Sequence, residues 1–167
     1  IDAIHCEWVE IENVQAPIFE TIIEAIVRSN ILTISYRSVK GEQSQRDVEP
    51  IKLVNYQGRW YLFAYCTLRE DNRFFHVARI TKATVTEEKI SQPEKIAPEY
   101  LEQSFGIFKG EVLYRAKILF TGTAAELIQH QQWHKHQELK SVDDGIVLTL
   151  PVSDDREIIM KILQYGA

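Results

Sequence analysis

Between Ile31 and Glu88 apolar residues recur at every second position in short runs, and each run stops at a turn former. That period sends successive side chains to opposite faces of an extended chain, so the segment reads as strands rather than helices. Leu32, Ile34 and Tyr36 alternate with Thr33, Ser35 and Arg37; "RDVEPIKLVNY" (46–56), "RWYLFAYC" (59–66), "RFFHVARI" (73–80) and "ATVTEE" (83–88) follow. Gly41, Gln57-Gly58 and Asp71-Asn72 supply the turns between them. Five short strands joined this tightly predict a small barrel or half-barrel. Ahead of them, "PIFETIIEAIVRSN" (17–30) places Ile18, Ile22, Ile23, Ile26 and Val27 on one face and Glu20, Glu24 and Arg28 on the other. It predicts an amphipathic helix packed on the strands, with Pro17 in the first turn and Glu24 paired to Arg28.

The pattern changes after Ile90. Residues 90–111 carry two prolines and two glycines with no sustained period, and are expected to form a linker with a short helical piece around Glu99 to Gln103. A second unit begins with the strand "VLYRAKILF" (112–120). A helix opened by a Thr123/Glu126 capping box follows, then a hairpin turning at Asp143-Asp144-Gly145. A final helix is expected to be capped by Ser153 and stopped at Gly166. This β-α-β-β-α order lacks one strand of a ferredoxin-like split βαβ. The natural chain is therefore expected to continue past Ala167, and the start at Ile1 without a methionine is expected of an excised piece. The domain organisation expected is 1–16 as an N-terminal segment, 17–90 as the barrel unit, 91–111 as linker and 112–167 as the second unit.

Charge narrows the function. The net charge of −5 is divided unevenly: −4 over residues 1–16, +2 over 17–90 and −3 over 91–167. A locally basic segment within an acidic chain points to an anionic ligand. Arg46, Arg73 and Arg79 fall on expected strands of the same sheet, with Arg73 and Arg79 sharing parity. A row of guanidiniums beside tyrosines suits phosphates and unstacked bases. Surface arginines paired with Glu49 or Asp71 are the plainer alternative. In "GRWYLFAYC" (58–66), Trp60, Leu62, Ala64 and Cys66 share one face, the candidate core, and Tyr61, Phe63 and Tyr65 the other, which would border a ligand.

Other chemistries find little support. Cys6 and Cys66 sit in no metal-like spacing, and His130, His134 and His136 have no neighbouring acid or cysteine to complete a metal set. The sequence holds no GxSxG, GxxxxGK, GxGxxG or HExxH, and its acid pairs (Glu87-Glu88, Asp143-Asp144, Asp154-Asp155) fall at strand ends, turns or a helix start. No cofactor and no enzyme activity are expected, and neither a signal peptide nor a run of roughly 18 apolar residues is present, so a cytoplasmic protein without membrane contact is expected.

"LTISYRS" (32–38), "RDVEPIKLV" (46–54), "GRWYLFAYC" (58–66) and "RFFHVARI" (73–80) stand in an order and spacing that resembles the WYL-domain family, over about residues 18–90. Residues 105–166, with "FGIFKGE", "WHKHQ", "DDGIVLTLPV" and "ILQYG", resemble the WCX extension that follows this domain in bacterial transcription regulators. The resemblance implies an α+β chain: an Sm-like or SH3-like five-stranded β-barrel with a preceding helix, then a ferredoxin-like βαββα(β) domain. It implies a ligand-sensing module, often in a homodimer, that binds single-stranded nucleic acid or a nucleotide-like effector, with duplex DNA held by an upstream winged helix. Tyr36, Arg46, Tyr61, Arg73 and Arg79 match the family's motif positions, and Ser35 and His76 are further candidate contacts. His76 stands where an arginine is common and Ala78 where an aspartate is common. A ligand-free dimerisation or protein-interaction scaffold and a sensor of a small nucleotide messenger are the alternative functions.

Overall fold

The computed structural model describes residues 12–90, 106 and 112–166. The expected linker and its helical piece at 99–103 lie outside the described residues. The chain divides into two units, Ile1–Lys95 and Ile96–Ala167, each with its own core.

In the first unit α1 (Ala16–Arg28) begins with Pro17 in its first turn and ends at Ser29, which takes the left-handed conformation (φ 53°). Glu24 meets Arg28 at 2.7 Å on its outer face, as the spacing requires. Five strands follow: β1 (Asn30–Arg37), β2 (Gln43–Tyr56), β3 (Arg59–Cys66), β4 (Asp71–His76) and β5 (Ile80–Lys89). All pairings are antiparallel, in the order β4-β3-β2-β1-β5. The β2–β3 hairpin turns at Gln57 and Gly58, both at positive φ (51° and 78°), the geometry that a tight hairpin turn with the right-handed twist of strands demands.

Three expectations are corrected here. "RFFHVARI" is not one strand: β4 ends at His76, a 3-10 turn occupies Val77–Arg79, and β5 starts at Ile80. Alternation along 73–80 therefore breaks at the turn, and the shared parity of Arg73 and Arg79 has no meaning. Asp71 and Asn72 also belong to β4 rather than to the preceding turn, which lies at Thr67–Glu70 with Glu70 at φ 50°. Nor is the sheet closed into a barrel, since β4 and β5 are its two edges and no ladder joins them.

The sheet is nonetheless strongly curled. Flat, its edges would stand roughly 19 Å apart at ordinary strand spacing. The four-residue step from His76 to Ile80 reaches at most roughly 14 Å. The curl brings Tyr36 of β1 against Phe75 of β4, ring centroids 5.3 Å apart and edge to face, although β2 and β3 lie between those strands. Its interior holds Leu32, Ile34, Val48, Leu62, Ala64, Cys66, Phe75 and Ile80, with Ile18, Ile22 and Ala25 of α1 packed against them. Phe19 of α1 meets Trp60 edge to face at 5.0 Å, so Trp60 caps this core on the face that the sequence alternation assigns to it.

The second unit runs β6 (Tyr114–Phe120), α2 (Gly122–Ile128), β7 (Glu138–Val142), β8 (Gly145–Val152) and α3 (Asp155–Leu163), with sheet order β6-β8-β7. That is the split βαβ arrangement: the hairpin strand β8 slots between β6 and β7. Gly145 opens β8 at φ 152°, and a Cβ there would stand 2.0 Å from the Phe120 carbonyl oxygen, so β6 and β8 can close only over a glycine. Both expected helix caps move. α2 starts two residues earlier than the Thr123 box requires, at Gly122, without a side-chain cap from Thr121. α3 is capped by Asp154 rather than Ser153, because its carboxylate accepts from the Arg156 N–H at 3.0 Å and from the guanidinium at 2.8 and 2.7 Å. The Arg156 hydrogen bonds hold the Asp154 carboxyl below its ordinary range.

Candidate ligand-facing end of the curled sheet

Antiparallel pairing decides which polar side chains meet. Tyr36 lies opposite Ser44 and Ile34 opposite Arg46, so Ser44 and Arg46 share the interior face of β2 with Val48. On the next ladders Val48 faces Cys66, Cys66 faces Asp71, and Ala64 faces Arg73. Asp71 and Arg73 therefore belong to the same face. These positions lie toward the C-terminal ends of β1 and β3 and the N-terminal ends of β2 and β4, staggered along the ladders because β2 pairs with β1 through its first half and with β3 through its second.

There the interior turns polar. Arg46 Nε donates to Ser44 Oγ at 3.1 Å, and its Nη1 stands 4.0 Å from the Cys66 sulfur. Ser44 Oγ in turn donates to the Tyr36 carbonyl at 3.5 Å. Among the described residues no carboxylate pairs with Arg46, so a half-buried guanidinium keeps most of its five donors for something else. Arg73 stands 4.0 Å from the Asp71 carboxylate with both side chains well exposed (46% and 61%), a loose contact of little energetic weight. Arg79 leaves the 3-10 turn immediately before Ile80, which lies opposite Tyr36 on β1, so it flanks the same end. No ion pair holds it among the described residues.

The remaining candidates are on the other face. Ser35 lies between Gln45 and Lys82. Tyr61 and His76 are cross-strand partners whose rings stack, centroids 4.9 Å apart and tilted by 20°. Phe63, expected to border a ligand with Tyr61, is fully buried and stacked on Phe74 at 4.7 Å. His76 is buried too, 7% exposed, and its Nε2 is bonded to the Glu12 carboxylate. It reaches the interior side through its backbone, the N–H donating to the Tyr36 hydroxyl at 3.4 Å. The structure thus puts Tyr36, Arg46 and Arg73 on the interior face, with Arg79 next to Ile80, the ladder partner of Tyr36, and puts Ser35, Tyr61 and His76 on the other face. Ser44 and Asp71 complete the cluster and escaped selection as candidates; pairing across the Gly41 turn was the signal that could have found Ser44.

In the second unit His136 N–H donates to His134 Nδ1 at 3.0 Å. Among the described residues no three His, Cys, Asp or Glu side chains gather as a metal group, and no helix is long and apolar enough to cross a membrane.

A helix-fronted, curled antiparallel sheet followed by a split βαβ unit defines a two-unit α+β chain. The WYL domain model matches residues 17–85 and the WCX domain model matches residues 113–167. The chain carries a WYL domain followed by a WCX domain. It is 29% identical over 156 residues to the uncharacterized HTH-type transcriptional regulator YobV of Bacillus subtilis (strain 168), covering 91% of this chain and 48% of that protein. The chain thus spans about half the length of this curated relative. Among solved structures, a CRISPR Cas-related protein shares the fold (TM-score 0.53, 13% identity, 89% of this chain and 44% of that one). Proteasome accessory factor B/C of Arthrobacter aurescens aligns over 95% of this chain and 24% of its own, with TM-score 0.47 and 22% identity.

Proposed function

We propose that this chain is the ligand-sensing part of a bacterial, cytoplasmic transcription regulator, and that the curled sheet, an Sm-like barrel in outline, takes an anionic ligand at its polar end. Single-stranded DNA or a short oligonucleotide is the ligand class that the chemistry fits best. One observation carries the reading: Tyr36, Arg46 and Arg73 all face the interior of the curled sheet, and Arg46 is half-buried there with no carboxylate partner among the described residues. Burying a cation without an acid costs stability unless a ligand supplies the counter-charge. Arg79 and Arg73 would grip phosphates from the rim, and Tyr36 would offer its ring edge and hydroxyl.

The similarity to an HTH-type regulator supports a regulatory role, with duplex DNA contacted by a winged helix elsewhere in a homodimer. Regulation then requires that the ligand bind one arrangement of the protein better than another. The proposed role is binding, without catalysis or a cofactor. Substituting Arg73 or Arg79 by alanine should weaken a fluorescent thymidine oligonucleotide about tenfold each, the scale of one lost charge-assisted hydrogen bond. Unchanged affinity in both variants would remove the site assignment.

A small nucleotide is the second reading, favoured by the confinement of the cluster to one end of a single five-stranded sheet. Ligand length separates the two. Affinity that climbs over several nucleotides marks a strand, and affinity that saturates with a mono- or dinucleotide marks a messenger. Binding of neither leaves the scaffold function.

A further inference from the structure

His76 is the residue through which the two faces of the sheet meet. It closes β4 and opens the 3-10 turn Val77–Arg79, whose last residue is one of the rim arginines. Its backbone N–H is bonded to the Tyr36 hydroxyl on the ligand-facing side. The ring lies on the opposite side, stacked on Tyr61 and bonded through Nε2 to Glu12. Glu12 in turn stands four residues ahead of Ala16, the first residue of α1, in the segment that leads into the helix. One buried side chain therefore ties that segment to the sheet, three residues from an arginine at the site.

We propose that His76 couples ligand occupancy to this tie, so that an anion at the Tyr36/Arg79 end releases Glu12; the inference rests on the ligand-facing reading above. Tyr36, already accepting from the His76 N–H, keeps its own hydroxyl proton to donate to a phosphate oxygen. The same phosphate attracts Arg79, and the 3-10 turn is too short to let Arg79 move inward without carrying His76 along. Moving the backbone of His76 toward the interior withdraws its ring from Glu12, whose side chain is anchored on α1's lead-in segment and does not follow. Ligand and Glu12 thus compete for two positions of one residue, and thermodynamic reciprocity makes the effect measurable from either side.

The test is the affinity of the whole chain for a fluorescent thymidine oligonucleotide of roughly ten nucleotides, a length that spans one small binding fold. Glu12→Ala removes the tie. Glu20→Ala, on the exposed outer face of α1, removes the same charge and controls for the general gain in attraction. Glu12→Ala should tighten binding about fivefold or more, the lower range of coupling between sites, while Glu20→Ala changes it by less than about twofold. Amide exchange of the peptide covering residues 12–18 should accelerate when the oligonucleotide is added to the unsubstituted chain. If Glu12→Ala matches Glu20→Ala while Arg73→Ala still weakens binding, the coupling is refuted and the site stands. If the unsubstituted chain does not bind the oligonucleotide at all, the site reading fails and the coupling with it.

Discussion

Arg46 offers the sharpest separation of a functional from a structural role, through substitution by methionine. Methionine keeps the length and much of the volume of the aliphatic stem but loses the guanidinium. In the structure that guanidinium donates to Ser44 Oγ at 3.1 Å and, marginally, to the Cys66 sulfur at 4.0 Å, and meets no carboxylate among the described residues. A hydrogen bond to a charged group contributes about 1.5–3 kcal/mol. Holding a half-buried cation without a counter-charge costs several kcal/mol in a fully dry site, and a fraction of that here, where one side is open. The Ser44 hydroxyl keeps its own acceptor, the Tyr36 carbonyl, after the substitution. The two terms nearly cancel, and the thioether adds contact with Cys66 and the neighbouring core, so a net gain of about 0.5–1 kcal/mol is expected. For a unit of this size that raises Tm by about 2–8 °C. Thermal unfolding followed by circular dichroism, beside oligonucleotide anisotropy, should show a more stable protein with binding reduced at least about tenfold. A fall in Tm of several degrees would show that Arg46 is a structural residue, and the reasoning from its uncompensated charge would be wrong.

Three further outcomes follow from the packing. Ile22→Ala, at a fully buried position of α1, should cost about 2–5 kcal/mol by urea titration; a loss below about 1 kcal/mol would mean that α1 does not seal the interior. Gly145→Ala should destabilise the second unit by roughly 1–3 kcal/mol, since its Cβ meets the Phe120 carbonyl and its φ is positive; hydrogen exchange confined to 112–166 reads this out, and unchanged protection there would overturn it. Asp154→Ala should cost about 1 kcal/mol at neutral pH through loss of the α3 cap, with little from the Arg156 pair, whose guanidinium is 65% exposed. The Asp154 carboxyl titrates below its ordinary value of 3.8 in the folded chain. Its charge-linked stabilisation is therefore complete above that value and lost as pH falls through the lower folded one. The gap in urea midpoint between Asp154→Ala and the unsubstituted chain should be constant from pH 7 to about 5 and narrow in stronger acid; a gap that widens in acid would contradict the assignment.

Much of the framework could be read from local pattern. The Gln57-Gly58 turn, the Glu24–Arg28 pair, the Asp143-Asp144-Gly145 hairpin and the interior placement of Trp60, Leu62, Ala64 and Cys66 all follow from spacing or turn chemistry, and all occur. The strand read across 73–80 failed because a 3-10 turn of three residues leaves an alternating sequence looking continuous, while the decision to break it comes from the need to cross from one sheet edge to the other. The α3 cap went to Asp154 rather than Ser153 because Arg156, two residues on, forks onto that carboxylate, a pairing that adjacent cap-forming residues do not reveal. The residues of the proposed site could be chosen by type from the sequence, but not by face. Tyr36, Arg46 and Arg73 share the interior face through ladder registers set by contacts far apart in sequence, whereas Tyr61 and His76, equally plausible by type, lie on the other face and stack on each other.

The central claim, that a cationic end of the curled sheet grips the phosphates of a single strand, is tested most directly by the salt dependence of binding. Anisotropy of labelled single-stranded and duplex DNA with this chain over a range of salt gives the number of phosphates neutralised. Three arginines on a single strand predict a slope of log K against log salt of about −2, weaker binding to duplex, and a slope shallower by about 0.7 in Arg73→Ala. Equal affinity for both DNA forms, or a slope that Arg73→Ala leaves unchanged, would contradict it.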